Sequence, residues 1–187
     1  MAQAKTMTKQ ELKRLLDVTR GGGRYMERDV TMLLLTHWCG LRVGEVAALR
    51  IADVVDDQHT VKAEIVLAAA VTKSKRARRI FEPKTMQLKR YLSELCQTSR
   101  HSYLFSTQKN SRFTANTATQ HLQRLYARAG IVGTTSHSGK RTWLTELSSE
   151  GVEVRVLAEM AGHASIQTTQ RYIDVNNEQM RRAAELI

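Results

Sequence analysis

The sequence predicts a mainly α-helical domain with one small antiparallel β-sheet inserted, an α+β arrangement. Three observations carry that expectation. The 187 residues include one proline and ten glycines, so few positions break a helix. Apolar residues recur at helical spacing through most of the chain. A single stretch, Val61, Ala63, Ile65 and Leu67, instead alternates with Lys62, Glu64 and Val66 as a strand does. With 42% hydrophobic residues the chain can bury a core, and its length suits one domain, not two.

The elements follow in order. Thr8 with Glu11 three residues later has the form of a capping box, so a first helix runs from Thr8 to about Thr19. Gly21, Gly22 and Gly23 then break the chain. A second helix spans about Met26 to Cys39, apolar through Met32, Leu33, Leu34 and Leu35, and Gly40 ends it. A short third helix covers about Arg42 to Leu49. The strand from Val61 continues through Ala68 to Thr72, turns at the charged run Lys73 to Arg78, and returns at Arg79 to Phe81. Pro83 suits the first turn of the next helix, to about Thr98. Further helices are expected at 114–129, 139–150, 152–161, 165–173 and 177–186.

Charge narrows the function. The chain has 29 Lys+Arg against 18 Asp+Glu, a net +11. A globular chain this basic points to a polyanionic partner, nucleic acid first. No long apolar run and no separate basic amphipathic tail point to a membrane. Met1 to Gln10 is polar and has no signal-peptide core. Cys39 and Cys96 lie in apolar helical patterns without metal spacing, which suits buried, reduced thiols in a cytoplasmic protein. No metal or cofactor is called for.

Four clusters could carry chemistry. Arg42 follows a glycine break at a helix start, with Glu45 one turn on. That is either an ordinary i,i+3 ion pair or an arginine held where phosphate is welcome. Lys73, Lys75, Arg76, Arg78 and Arg79 crowd the hairpin tip. They could solubilise an edge, grip phosphate, or place a lysine beside a leaving oxygen. His137, Lys140 and Arg141 join a polar loop to a helix start, where a lone histidine is more often structural than functional. The last cluster runs from Ala161 through Gly162 and His163 to Arg171 and Tyr172. It reads as a helix-turn-helix, with the tyrosine packing, or as a nucleophile's setting.

Their order and combination resemble the catalytic domain of the tyrosine recombinase, or phage integrase, family. The family's first box is similar to Thr-Gly-Leu-Arg-x-x-Glu-hydrophobic-x-x-Leu-x-x-x-Asp. This chain has Cys39-Gly40-Leu41-Arg42, then Glu45, Val46, Leu49 and Asp53 in place. The last box is similar to Leu-Gly-His-x-Ser-Ile-x-Thr-Thr-x-x-Tyr. Here it is Ala161, Gly162, His163, Ser165, Ile166, Thr168, Thr169 and Tyr172. One box departs from the pattern of His (or Lys)-x-x-Arg-His. Aligned on Arg141, Ser138 and Thr142 stand at the two histidine positions, and His137 is one residue early. The resemblance covers about residues 8 to 180 and implies the family's DNA breaking-rejoining fold.

It also implies roles. Arg42 and Arg141 would clamp the scissile phosphate, since planar guanidiniums match phosphate geometry. Tyr172 would attack it and form a 3′-phosphotyrosyl bond. His163 would hydrogen-bond the phosphate and His137 assist proton transfer. Lys73, with Lys75 in reserve, would protonate the leaving 5′-oxygen. Glu45 would support the arginines, and Lys75, Arg76, Arg78, Arg79 and Lys140 would grip double-stranded DNA. The chain reads as one catalytic domain, 1–187, with no core-binding domain before residue 8. Partners would be DNA and other protomers, a dimer or tetramer in the synaptic complex, with the 177–187 tail either docked on a neighbouring protomer or packed in cis. A helix-turn-helix regulator without catalysis and a type IB topoisomerase are the alternatives.

Overall fold

Thr8 starts α1 (Lys9–Arg20) through the reciprocal bonds its spacing predicts. Its hydroxyl accepts the Glu11 N–H at 3.1 Å, and the Glu11 carboxylate accepts the Thr8 N–H at 3.0 Å. In this computed structural model, residues 4–72, 75–81, 86–99, 101–173, 175 and 177–185 are described. The apolar stripe of α1, Leu12, Leu15 and Leu16, packs on α2 (Met26–Trp38). α2 is buried continuously from Val30 to His37 because it is the central helix. It touches α1, α3 (Val43–Ala48), α5 (Met86–Thr98) and α7 (Ser138–Ser149). A short α4 (Ile51–Val54), which the sequence pattern does not announce, follows α3. The rest of the helical frame is α6 (Ala115–Arg128), α8 (Val154–Ala161), α9 (Ile166–Gln170) and α10 (Asn177–Ala184).

The sheet is a two-stranded antiparallel pair, β1 (Glu64–Leu67) and β2 (Arg78–Phe81), with Glu64 opposite Phe81 and Leu67 opposite Arg78. Its inner face carries Ile65, Leu67, Ile80 and Arg78. The expected continuation of the first strand through Thr72 is wrong. Ala69–Val71 forms a 3-10 turn, and the Thr72 hydroxyl closes the connection by donating to the Arg76 carbonyl at 2.8 Å. The helix expected from 165 to 173 also ends early, at Gln170, and leaves Tyr172 in a turn. Pro83, the expected start of α5, lies outside the described residues.

Two apolar clusters divide the interior. The larger surrounds α2; the smaller gathers Trp143, Leu144, Leu157 and Ala161, with Tyr172 packed against it. Gly40 lets the two meet. Its φ is +62°, and a Cβ there would lie 2.3 Å from the Trp143 ring. Gly40→Ala combines a left-handed backbone with a clash in a packed core. It is expected to lower stability by about 2–4 kcal/mol, read as a shifted denaturant midpoint at constant m.

Cys39 is buried and Cys96 half-buried, and no disulfide joins them. Burial pushes the Cys96 thiol up to about 11. Among the described residues no helix is long and apolar enough to cross a membrane. None of their His, Cys, Asp and Glu side chains group as a metal site would require.

Candidate active site

Arg42 is the N-cap of α3, and the Arg-x-x-Glu spacing has a local cause. Glu45 stands at the third helical position and accepts the Arg42 N–H at 2.7 Å. Its other oxygen takes the Arg42 guanidinium at 2.9 Å. The first oxygen also receives Arg78 from β2 at 2.5 Å. Glu45 is only 2% exposed. Burial opposes its ionisation, but Arg78, the Arg42 N–H and Lys140 outweigh that and hold the carboxyl below its ordinary value.

Two expected DNA-gripping cations therefore need correcting. Arg78 is 6% exposed and donates to Glu45 and to the Met160 carbonyl at 2.6 Å. Strand alternation turns it inward, opposite Leu67. Lys140 is 1% exposed, and its ammonium donates to the Ala161 carbonyl at 2.7 Å. Burial, then Arg78 and Arg42, push its pKa well below the ordinary lysine value. Neither side chain is placed to reach a phosphate on the surface. Lys75, Arg76 and Arg79 are exposed, and Arg79 pairs loosely with Glu64 at 3.3 Å. Lys73 lies outside the described residues.

Arg141 follows Lys140 in the first turn of α7 and is 5% exposed. Its Nε donates to the Thr6 hydroxyl at 3.0 Å and its Nη1 to the Arg171 carbonyl at 3.3 Å. One turn further, Thr145 donates to the Tyr172 carbonyl at 2.9 Å. α7 thus pins the backbone just before and at the tyrosine. The His163 ring lies tilted beside the tyrosine, its centroid 5.5 Å from that of Tyr172. Its Nδ1 is 2.9 Å from the Thr169 hydroxyl, and the Tyr172 N–H donates to the Thr169 carbonyl at 2.8 Å. Burial, then Lys140, Arg42 and Arg78, push the His163 ring down to about 3, so it is neutral at physiological pH.

His137, the N-cap of α7, is exposed and lines an open cleft of about 390 Å³ with Arg42, Glu45, Thr72, Thr119 and Ser136. Ser138, at the box's first histidine position, is fully buried and its hydroxyl accepts the Thr135 N–H at 3.0 Å. The Thr142 hydroxyl accepts the Met7 N–H at 2.9 Å and donates to the Ser138 carbonyl at 2.8 Å. Both positions thus serve the helix start and the segment before α1. The structure draws Arg42, Glu45, His163, Arg141 and Tyr172 into one connected region, with His137 on the adjoining cleft. Sequence reasoning did not single out Thr6, Thr145 or Thr169. Only Thr169 left a signal, as a matched position of the last box.

Glu45 is the hub of this network. Glu45→Gln keeps the shape but leaves Arg42, Arg78 and Lys140 without their buried counter-charge. A loss of about 3–5 kcal/mol is expected, measured by chemical denaturation at neutral pH. In the parent protein the depressed Glu45 pKa stabilises the fold above the unfolded carboxyl pKa. That contribution is lost as pH falls through the lower folded value, and the variant should lack this step.

Residues 5–179 match the description of the phage integrase family. The chain belongs to the phage integrase family. Among its relatives, tyrosine recombinase XerA of Thermococcus kodakarensis is 30% identical over 186 residues, covering 97% of this chain and 62% of the relative. XerA of Pyrococcus furiosus is 26% identical over 181 residues, covering 97% of this chain and 61% of the relative. The chain therefore spans about three-fifths of these relatives' length. A crystal structure of XerA recombinase superposes with a TM-score of 0.77 at 24% identity, over 99% of this chain and 66% of that one. The fold is that of the tyrosine recombinase catalytic domain.

Proposed function

We propose that this chain is a tyrosine-type site-specific recombinase that cuts and rejoins double-stranded DNA through a 3′-phosphotyrosyl intermediate. One observation carries the reading. Arg141 and Thr145 of α7 hold the backbone at Tyr172, while a neutral His163 stacks beside its ring and contacts the other arginine box electrostatically. A regulator that only bound DNA would have no use for a buried Glu45–Arg78 pair joined to Arg42 alongside a half-buried tyrosine.

In this reading the Tyr172 oxygen attacks the scissile phosphorus and the bond to the 5′-oxygen breaks. A phosphotyrosyl ester is left on the 3′ side and a 5′-hydroxyl on the other. Bond energy is kept in the ester, so rejoining by a 5′-hydroxyl needs no external energy source. Arg42 and Arg141 neutralise the charge that builds on the non-bridging oxygens. With the Thr169 hydroxyl donating to Nδ1, His163 carries its proton on Nε2 and offers it to one of those oxygens. His137, beside Arg42 on the cleft, accepts the tyrosine proton. Lys73 donates a proton to the leaving 5′-oxygen, a role that rests on its position between the boxes. Lys75, Arg76 and Arg79 grip the duplex.

The proposed partners are DNA and further copies of the chain on it, dimeric or tetrameric in the synapse. α10, with Met180 exposed, is the proposed contact between copies. The proposed setting is the cytoplasm.

The test is chemical. The protein is incubated with DNA of its source genome and denatured in detergent, and the DNA ends are analysed. Protein joined to 3′-phosphoryl ends, with 5′-hydroxyl ends that a polynucleotide kinase can label, is the expected result. Retained DNA binding without any adduct would favour the regulator. Relaxation of a plasmid without a recognition site would favour the topoisomerase.

A further inference from the structure

An α-helix leaves its last four carbonyls without intrahelical partners. In α8 all four are taken. The His163 N–H donates to the Ala158 carbonyl at 2.9 Å and the Gly162 N–H to the Glu159 carbonyl at 3.0 Å. These bonds follow from Gly162 adopting a left-handed φ of +63°. The Met160 carbonyl receives Arg78 at 2.6 Å, and the Ala161 carbonyl receives Lys140 at 2.7 Å. The two cations arrive from β2 and α7, not from α8 itself, and both are buried. Water can cap a helix end, whereas burying two charged side chains for the purpose is costly. The Arg78 stem also runs against the turn, since a Cβ on Gly162 would lie 2.7 Å from its Cδ. The residue after that turn is His163.

We propose that Lys140 and Arg78 are positioning residues, which set His163 and Tyr172 relative to the arginine boxes by capping the end of α8. This rests on the roles given to His163 and Tyr172 above. Lys140 and Arg141, adjacent in α7, grip the two ends of the α8–α9 turn unit at the Ala161 and Arg171 carbonyls. Their separation along α7 is fixed, so the spacing from His163 to Tyr172 is fixed with it. Arg78 closes a second path, from Arg42 through Glu45 to the Met160 carbonyl. Arg42, Arg78, Lys140 and Glu45 are the charged groups that bear on the His163 ring.

Lys140→Met keeps the length and apolar stem of the side chain without its charge. The expected result is a fall in single-turnover DNA cleavage of about tenfold or more with DNA affinity within about twofold. In the same variant, the His163 ring nitrogen signals should move at neutral pH, and amide exchange at Gly162 and His163 should speed up. A variant that weakens DNA affinity while cleaving at the parent rate would overturn the inference in favour of a phosphate contact. Unchanged His163 signals and amide exchange would overturn it as well. If those signals move but the parent protein never cleaves DNA, the capping role stands and the recombinase reading fails. Should Lys140→Met not fold, Arg78→Met is measured in its place, because it takes the capping cation from the Met160 carbonyl together with the bridge to Glu45. The same shifts at Gly162 and His163 are expected, and their absence counts against the inference equally.

Discussion

Tyr172→Phe should bind DNA as tightly as the parent protein and form no covalent adduct. The substitution removes one oxygen, and that oxygen is the proposed nucleophile. The surroundings give little reason for any other loss. The ring keeps its place against the Trp143–Leu157 cluster and beside His163. Arg141 and Thr145 hold backbone carbonyls, which the substitution leaves in place. Stability should therefore change by less than about 1 kcal/mol. Binding isotherms at one fixed salt concentration, set beside detergent-denatured gels of end-labelled DNA, separate the two effects. Residual adduct from the phenylalanine variant would move the nucleophile elsewhere.

Local rules made several parts of this structure legible in the sequence. The Thr8–Glu11 spacing predicts a helix start because an N-cap and the side chain that caps it in return stand three positions apart, and the structure shows Arg42 and Glu45 using the same spacing. Gly40 and Gly162 end helices because left-handed φ values belong to glycine. The long-range contacts had no such trace. Arg78 sits in a run of basic residues, and its inward direction depends on strand register, where one residue of slip reverses every side chain. Lys140 reads like any cation beside Arg141. Its burial depends on the end of α8 arriving against α7, 21 residues later in the chain. α9 stops at Gln170, and α7 claims the Arg171 and Tyr172 carbonyls just beyond it. A local helical pattern through 173 could not reveal that competition. The proposed residues of chemistry were thus visible as motifs, while the burial of Arg78 and Lys140 behind them was hidden in tertiary contacts.

Arg141→Lys should fold and bind DNA, yet cleave about 10²- to 10³-fold more slowly. Charge alone does not account for what this side chain does. Its Nε is given to the Thr6 hydroxyl and its Nη1 to the Arg171 carbonyl, so the plane of the guanidinium is fixed from two directions. A planar fork oriented in this way can present parallel donors to a phosphate, and it cannot lose its proton. A lysine ammonium is a point charge on a flexible stem. It could satisfy the Arg171 carbonyl or meet the phosphate, but it could not do both while also holding Thr6. Thr6 would then lose its tie to this side chain, while the Met7 N–H stays on Thr142, and Thr6→Val offers the matching control. Lacking the hydroxyl that accepts from Arg141, that variant should slow cleavage about tenfold and leave affinity unchanged. Single-turnover cleavage by the two variants, with affinities measured in parallel, tests the argument. If Arg141→Lys cleaves within about threefold of the parent, the oriented fork is not what the phosphate requires, and the arginine serves mainly to fasten Arg171.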